Sequence, residues 1–229
     1  MKNNFLKYFI FFLSLLIILI VYLSTVGIET NKFNDQIKKR ISQVNKNIDI
    51  DLKKIKLTLD PLKLKIHAKT IGTTVYFLKR PLSLESIKTK VSLSSLIKNK
   101  ISSSNIELTT NSILLNDLIK FIRTINNKPE LFILEKIVKK GSVVIDLSLN
   151  IDENGNIKND YKIEGLIKDA SINLLNKSNL KNIRFNFNFQ KDNYHLSGIN
   201  FEVAEVNFIS KKINVKKKKN SFLIDAIVE

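Results

Sequence analysis

Ile48–Ile66 reads IDIDLKKIKLTLDPLKLKI, and its period decides the fold. Ile48, Ile50 and Leu52 alternate with Asp49 and Asp51; Ile55, Leu57 and Leu59 alternate with Lys54, Lys56 and Thr58. Asp60-Pro61 breaks the pattern, after which Leu62, Leu64, Ile66 and Ala68 alternate with Lys63, Lys65, His67 and Lys69. A period of two sends successive side chains to opposite faces of a strand. These segments therefore predict antiparallel strands with one apolar face and one solvated, basic face.

The same alternation recurs toward the C-terminus. Val75 and Phe77 predict a strand stopped near Pro81, followed by strands on Ile87–Leu93 and on Ile106 and Leu108. Val143, Ile145, Leu147, Leu149 and Ile151 form one face, and Asn154-Gly155 then signals a hairpin. Tyr161–Ile167 predicts the return strand, with Ile172 and Leu174 in another. Ile183, Phe185, Phe187 and Phe189 oppose Arg184, Asn186, Asn188 and Gln190. Short apolar sets continue at Tyr194/Leu196, Ile199/Phe201/Val203, Val206/Phe208 and Ile213/Val215. Lys216–Lys219 predicts a turn, and Phe222, Ile224, Ala226 and Val228 a last strand. That strand, 222–228, is an unprotected edge. It predicts pairing with a partner or with further repeats, if this is the front part of a longer protein.

Two regions depart from period two. Residues 112–140 predict a helical insert: Leu115, Leu118, Ile119 and Ile122 are spaced as one helix face, then Phe132, Ile133, Ile137 and Val138. Pro129 opens the second helix and Gly141 closes it after Lys139 and Lys140. Residues 29–47 predict an amphipathic helix capped by Thr30 or Asn31, with Phe33, Ile37, Ile41, Val44 and Ile48 on one stripe. Its apolar stripe either packs on the following domain or lies at a membrane surface, where Lys38, Lys39 and Arg40 would meet lipid headgroups.

Ahead of it, Tyr8–Ile28 (YFIFFLSLLIILIVYLSTVGI) carries no charge and no proline. About 20 apolar residues span a bilayer core, so residues 1–28 predict a retained signal-anchor. Phe9, Phe11, Phe12, Leu13, Leu15, Leu16, Ile17, Ile18, Leu19, Ile20, Val21 and Leu23 are the side chains offered to lipid. Ser24-Thr25-Val26 is a poor cleavage site. Lys2 and Lys7 precede the span while Lys32, Lys38, Lys39 and Arg40 follow it, so charge alone leaves the orientation open. Residues 48–229 make up the remaining domain, long enough for a core of its own.

Composition narrows the function. The 229 residues contain no Cys and two His, which excludes a disulfide framework and a thiolate zinc site. No phosphate loop, nucleophile elbow, zincin motif or dinucleotide turn is present. His67 and His195 lie on polar strand faces, and Asp152, Glu153 and Asp160 read as turn chemistry. The reading is of a protein that is not an enzyme and needs no cofactor. The net charge of +17 accompanies an excess of Lys, Asn and Ile, the mark of AT-rich coding, and is read as solvated strand faces. Attraction to anionic headgroups is the functional alternative. Nucleic acid is not an expected partner, because exposed aromatics do not interleave the basic residues.

The order of these parts carries a resemblance. An anchor, a short helix FNDQIKKRISQV (33–44), the strand pair IDIDLKKIKLTLDPLKLKI and then PLSLESIKTKVSLSSLIKNKISSSNIEL (81–108) resemble the N-terminal region of the AsmA-like family, the bacterial group of AsmA, TamB and YhdP. The resemblance implies a single-pass anchor in the bacterial inner membrane and a periplasmic domain. It also implies a curved antiparallel β-sheet whose apolar groove (β-taco-like) holds or conducts membrane lipids, contributing to phospholipid transport and outer-membrane assembly. Leu57, Leu59, Leu64, Ile66, Val143, Ile145, Leu147, Leu149, Phe185, Phe187, Phe189 and Phe201 are the groove candidates. The residues themselves leave a closed sandwich open as well, and an anchored structural or assembly protein that docks an envelope partner is the competing function.

Overall fold

The computed structural model describes residues 2–44, 46–93, 104–152, 158–174, 178–218 and 221–228. It is mainly β, with an apolar N-terminal helix, one open, curved antiparallel sheet and a few short helices. Helix α1 (Lys2–Thr25) leads into strand β1 (Ile28–Thr30), helix α2 (Asn34–Val44), and strands β2 (Ile48–Asp60), β3 (Lys65–Phe77), β4 (Arg80–Ser92), β5 (Ser104–Thr110) and β6 (Ile113–Leu114). Helices α3 (Leu115–Ile125) and α4 (Pro129–Ile137) follow. The chain ends in β7 (Val138–Ile151), β8 (Lys162–Leu174), β9 (Ser178–Gln190), β10 (Asn193–Val203), β11 (Val206–Lys218) and β12 (Ser221–Val228). Strand order follows the chain, β1-β2-β3-β4-β5-β7-β8-β9-β10-β11-β12, with β6 paired to β7 at the side. The helical insert is thus a detour between neighbouring strands β5 and β7.

Segments that break phase in the sequence prove to be single long strands. Ile50 and Leu52 occupy even positions and Ile55, Leu57 and Leu59 odd ones, yet all belong to β2. The same flip separates Leu84 from Ile87 in β4, Val138 from Val143 in β7, and Ile167 from Ala170 in β8. It separates Leu180 from Ile183, Leu196 from Ile199, and Phe208 from Ile213 in β9 to β11. At or beside these points the ladder changes register or the backbone turns to positive φ: Gly72 (62°), Gly141 (131°), Asp169 (50°), Asn182 (53°) and Gly198 (59°). A bulge reverses the alternation and bends the strand. Because the bulges fall on neighbouring strands, they form a crease across the sheet, and the apolar side chains stay on one face on both sides of it.

The crease also carries the core. Ile55, Leu84, Val138, Val143, Ala170, Ile183 and Ile199 are buried along it, with Ile119 and Phe121 of α3 packed on top. Phe121 meets Phe77 edge to face at 6.4 Å. Bulges strand backbone groups, and hydroxyls take them up. Thr70 Oγ1 accepts the Ile87 amide at 2.9 Å and the Thr73 hydroxyl at 2.6 Å, and Thr110 Oγ1 accepts the Ile145 amide at 2.9 Å. Ser210 Oγ donates to the Ile227 carbonyl at 2.5 Å. Among the described residues the buried polar side chains are Thr73, Ser86, Thr110 and Ser210, all beside the crease.

Other expectations change in detail. Leu62 and Leu64 belong to the turn after β2, not to a strand, because Asp60 Oδ1 accepts the Lys63 amide (3.0 Å) and Leu64 takes φ 48°. Val75 and Phe77 end β3, and Pro81 is the second residue of β4. Gly141 does not stop a helix: α4 ends at Ile137 and Gly141 is a strand bulge, where an added Cβ would lie 2.7 Å from Ala170 and Leu115. Residues 29–47 are not one helix; β1 comes first, and α2 spans Asn34–Val44. Lys216, Lys217 and Lys218 extend β11 opposite Leu223, Phe222 and Ser221. The Asn154-Gly155 turn, Glu153 and Lys219 lie outside the described residues.

Candidate functional site

Directly opposed residues of an antiparallel pair share a face, so the registers define rows across the sheet. One row runs Ile28, Leu57, Ala68, Thr89, Ile106, Leu149 from β1 to β7. A second runs Ile87, Leu108, Leu147, Ile163, Phe189, Tyr194, Val215, Ile224 from β4 to β12. A third runs Ile145, Gly165, Phe187, Leu196, Ile213, Ala226. At about 4.8 Å per strand the second row is roughly 34 Å long. Apart from Thr89 and Gly165 every position is apolar, Tyr194 included as an aromatic ring.

Most positions in these rows are half-covered; Phe187 is packed, and Ile28, Ile224 and Ala226 at the sheet edges are exposed. Leu57, Leu59, Ile66, Ile145, Leu147, Leu149, Phe185, Phe189 and Phe201 are all half-buried. Helices α3 and α4 lie over β3, β4, β6, β7 and β8, toward the Val138 side of the crease. Leu147, Ile163 and Phe189 are each half-buried. Aromatic neighbours shield one another: Phe185, Phe187, Phe189 and Tyr194 follow at 6.4, 5.1 and 5.4 Å between ring centroids, and Phe201 stacks on Phe208 at 5.3 Å.

Three of the groove candidates stand apart from the open face. Val143 (2% exposed) and Phe187 (8%) are packed by protein. Phe187 closes over Gly165, where a Cβ would lie 2.4 Å from its ring, and Val143 lies against the crease. Leu64 is 62% exposed because it belongs to the turn.

The helix Leu6–Thr25 is long and apolar enough to cross a membrane, and none of its most apolar residues is buried inside the protein. It joins the sheet through Gly27. The amides of Val26 and Gly27 both reach the Tyr22 carbonyl (2.9 and 3.0 Å), and Gly27 adopts φ 74°. An added Cβ there would lie 2.3 Å from the Leu57 carbonyl oxygen, so only glycine allows this approach. The junction is therefore the pairing of β1 with β2, ahead of α2. Lys38 and Lys39 are exposed on α2, where Lys38 pairs with Asp49 at 3.4 Å. Asp49 lies eight residues before Leu57 in β2, about 26 Å from the row where the apolar helix joins the sheet. Arg40 shares that helix; its side chain is outside the described part.

The opposite face is basic. Lys56, Lys69 and Lys88 oppose one another directly across β2, β3 and β4, ending at Glu107 of β5. With Thr58, His67 and Lys90 they line a concavity of about 340 Å³. His67 Nε2 lies 4.0 Å from Asp60 Oδ2, and His195 Nδ1 meets Asn214 Oδ1 at 2.6 Å. Among the described residues no group of three or more His, Cys, Asp or Glu could hold a metal ion. Compared with known proteins, the chain matches no family model, no curated protein and no solved structure.

Proposed function

We propose that this chain is a membrane-anchored lipid-handling protein of the AsmA-like kind. On this reading α1 crosses the bacterial inner membrane, the sheet stands in the periplasm, and phospholipid acyl chains lie along its apolar face on their way to or from the outer membrane. One observation carries the reading. The apolar rows begin at Ile28, three residues past the end of α1, and together cross the sheet to Ile224; between those exposed ends most of their positions are half-buried. Acyl chains need no specific polar partner; each buried CH₂ contributes about 0.8 kcal/mol. A surface of this kind binds without the directional groups an active site requires.

The test uses the full chain expressed in bacterial membranes, with a photoreactive residue at Leu147 or at its neighbour Ser148, which points to the other face. Irradiation is expected to attach phospholipid at 147 well above the level at 148. Equal, background-level capture at both positions would remove the proposal. Leu147→Asp with Ile163→Asp should abolish capture by a second photoreactive residue at Phe189.

A second reading rests on β12, where Phe222, Leu223, Ile224 and Ile227 are 63, 56, 65 and 54% exposed. This edge would accept a strand from an envelope protein or a further repeat by β-augmentation. Retained lipid capture together with loss of a co-purifying partner in Ile224→Lys would support it beside the first.

A further inference from the structure

β2 runs back toward the membrane helix. Ile28 pairs with Leu57 in an antiparallel ladder, so chain beyond Leu57 travels alongside the end of α1. From Leu57 to the turn at Pro61 is about 13 Å at ~3.3 Å per residue. From Gly27 back to Ile20 is about 10 Å of helix at 1.5 Å per residue. Burial agrees with this alignment. Helix α1 is exposed from Leu6 to Leu19, and only Ile20, Leu23 and Ser24 become half-buried before the buried Gly27. Those spacings define one helix face, and the strand in contact with it is β2.

The turn at that level is Pro61-Leu62-Lys63-Leu64. Leu62 is 95% exposed and Leu64 62%, and Lys63 and Lys65 are exposed beside them. The turn is held in place: Asp60 Oδ1 accepts the Lys63 amide, and the Leu64 carbonyl accepts the Leu93 amide at 2.9 Å. An ordered turn thus presents two leucines and two flanking lysines next to a helix long enough to span a bilayer. Apolar side chains at the acyl boundary with Lys at the headgroup level is the pattern of interfacial membrane contact.

We propose that the β2–β3 turn is a second membrane contact. Leu62 and Leu64 enter the bilayer on the side where α1 leaves it, and Lys63 and Lys65 engage anionic headgroups. Together with the Gly27 junction this fixes the tilt of the sheet on the membrane. The inference rests on α1 spanning the bilayer, and it stands or falls separately from lipid capture on the apolar face.

The chain contains no Trp, so Leu62→Trp provides the only indole. The full chain is reconstituted in phosphatidylcholine vesicles containing phosphatidylglycerol, with part of the phosphatidylcholine brominated near the headgroup end of its acyl chains. The indole introduced by Leu62→Trp is expected to emit toward the blue and to lose roughly half its intensity to the brominated lipid. Leu78→Trp, in the turn at the other end of β3, should emit as in water and remain unquenched. Lys63→Glu with Lys65→Glu, added to Leu62→Trp, should weaken quenching in anionic vesicles more than in neutral ones. Water-like, unquenched emission from the Leu62→Trp chain, in a form that resists alkaline extraction, would overturn the proposal. Extraction of the chain itself would remove its premise.

Discussion

Thr110 shows what a single hydroxyl does in this sheet. It is 6% exposed, and its Oγ1 receives the amide of Ile145, which the crease leaves without an ordinary ladder partner. Thr110→Val keeps the shape and removes the acceptor, so a buried amide is left unpaired. We expect a loss of about 1–3 kcal/mol, read as a lower urea midpoint at unchanged slope. Thr89→Val, on the apolar face of the neighbouring strand, should change stability by less than about 0.5 kcal/mol. By sequence alone each threonine reads only as a strand former. Only the register says that one of them satisfies a backbone group from another strand. The same holds for Lys69, which a sequence places on a solvated face and the register places directly between Lys56 and Lys88.

At the level of elements, the hairpins separate what was legible from what was not. Phe77 pairs with Arg80 and Val203 with Val206, so Leu78-Lys79 and Ala204-Glu205 are two-residue turns. Both residues of each have positive φ, 47° and 66° in the first and 47° and 70° in the second. Such turns favour Asn-Gly, because left-handed backbone costs other residues about 1–2 kcal/mol each. The thirteen-residue strands on either side of Leu78-Lys79 impose the turn that its own residues resist. Leu78→Asn with Lys79→Gly is therefore expected to stabilise the protein by about 1 kcal/mol, measured by thermal unfolding. A sequence without Gly or Asn at a turn gives no local signal of it, which is why Pro81 and the phase breaks look like strand ends. Helices α3 and α4 were legible from helical spacing, and Arg123 ties them through Glu135 and the face of Phe132. Gly141 reads as a helix stop because nothing local distinguishes a glycine after a helix from one that bends a strand.

For the whole molecule, the open sheet leaves its apolar face and its last strand as the surfaces on which solution behaviour depends. β12 exposes apolar residues on both faces, Leu223 and Ile227 on one and Phe222 and Ile224 on the other. A flat apolar edge is a template for pairing with another chain. Ile224→Lys with Leu223→Lys should shift the purified chain toward monomer in sedimentation velocity. Unchanged sedimentation would show that this edge does not pair with a second copy. The sequence alone determined the strand class, the apolar N-terminal helix and the polarity of each strand face, because a two-residue period and a run of apolar residues are local properties of the chain. The groove candidates read from the sequence as one surface; the structure keeps most of them together on a half-open face and removes Val143, Phe187 and Leu64 for reasons of packing and turn geometry. Tertiary structure alone decided that broken patterns are continuous strands, that they bend along one crease, and that β2 runs back past its junction with the apolar helix toward the Leu62–Leu64 turn. Those facts depend on which residue stands opposite which, and register is set by pairing between segments distant in the chain, which no local stretch encodes.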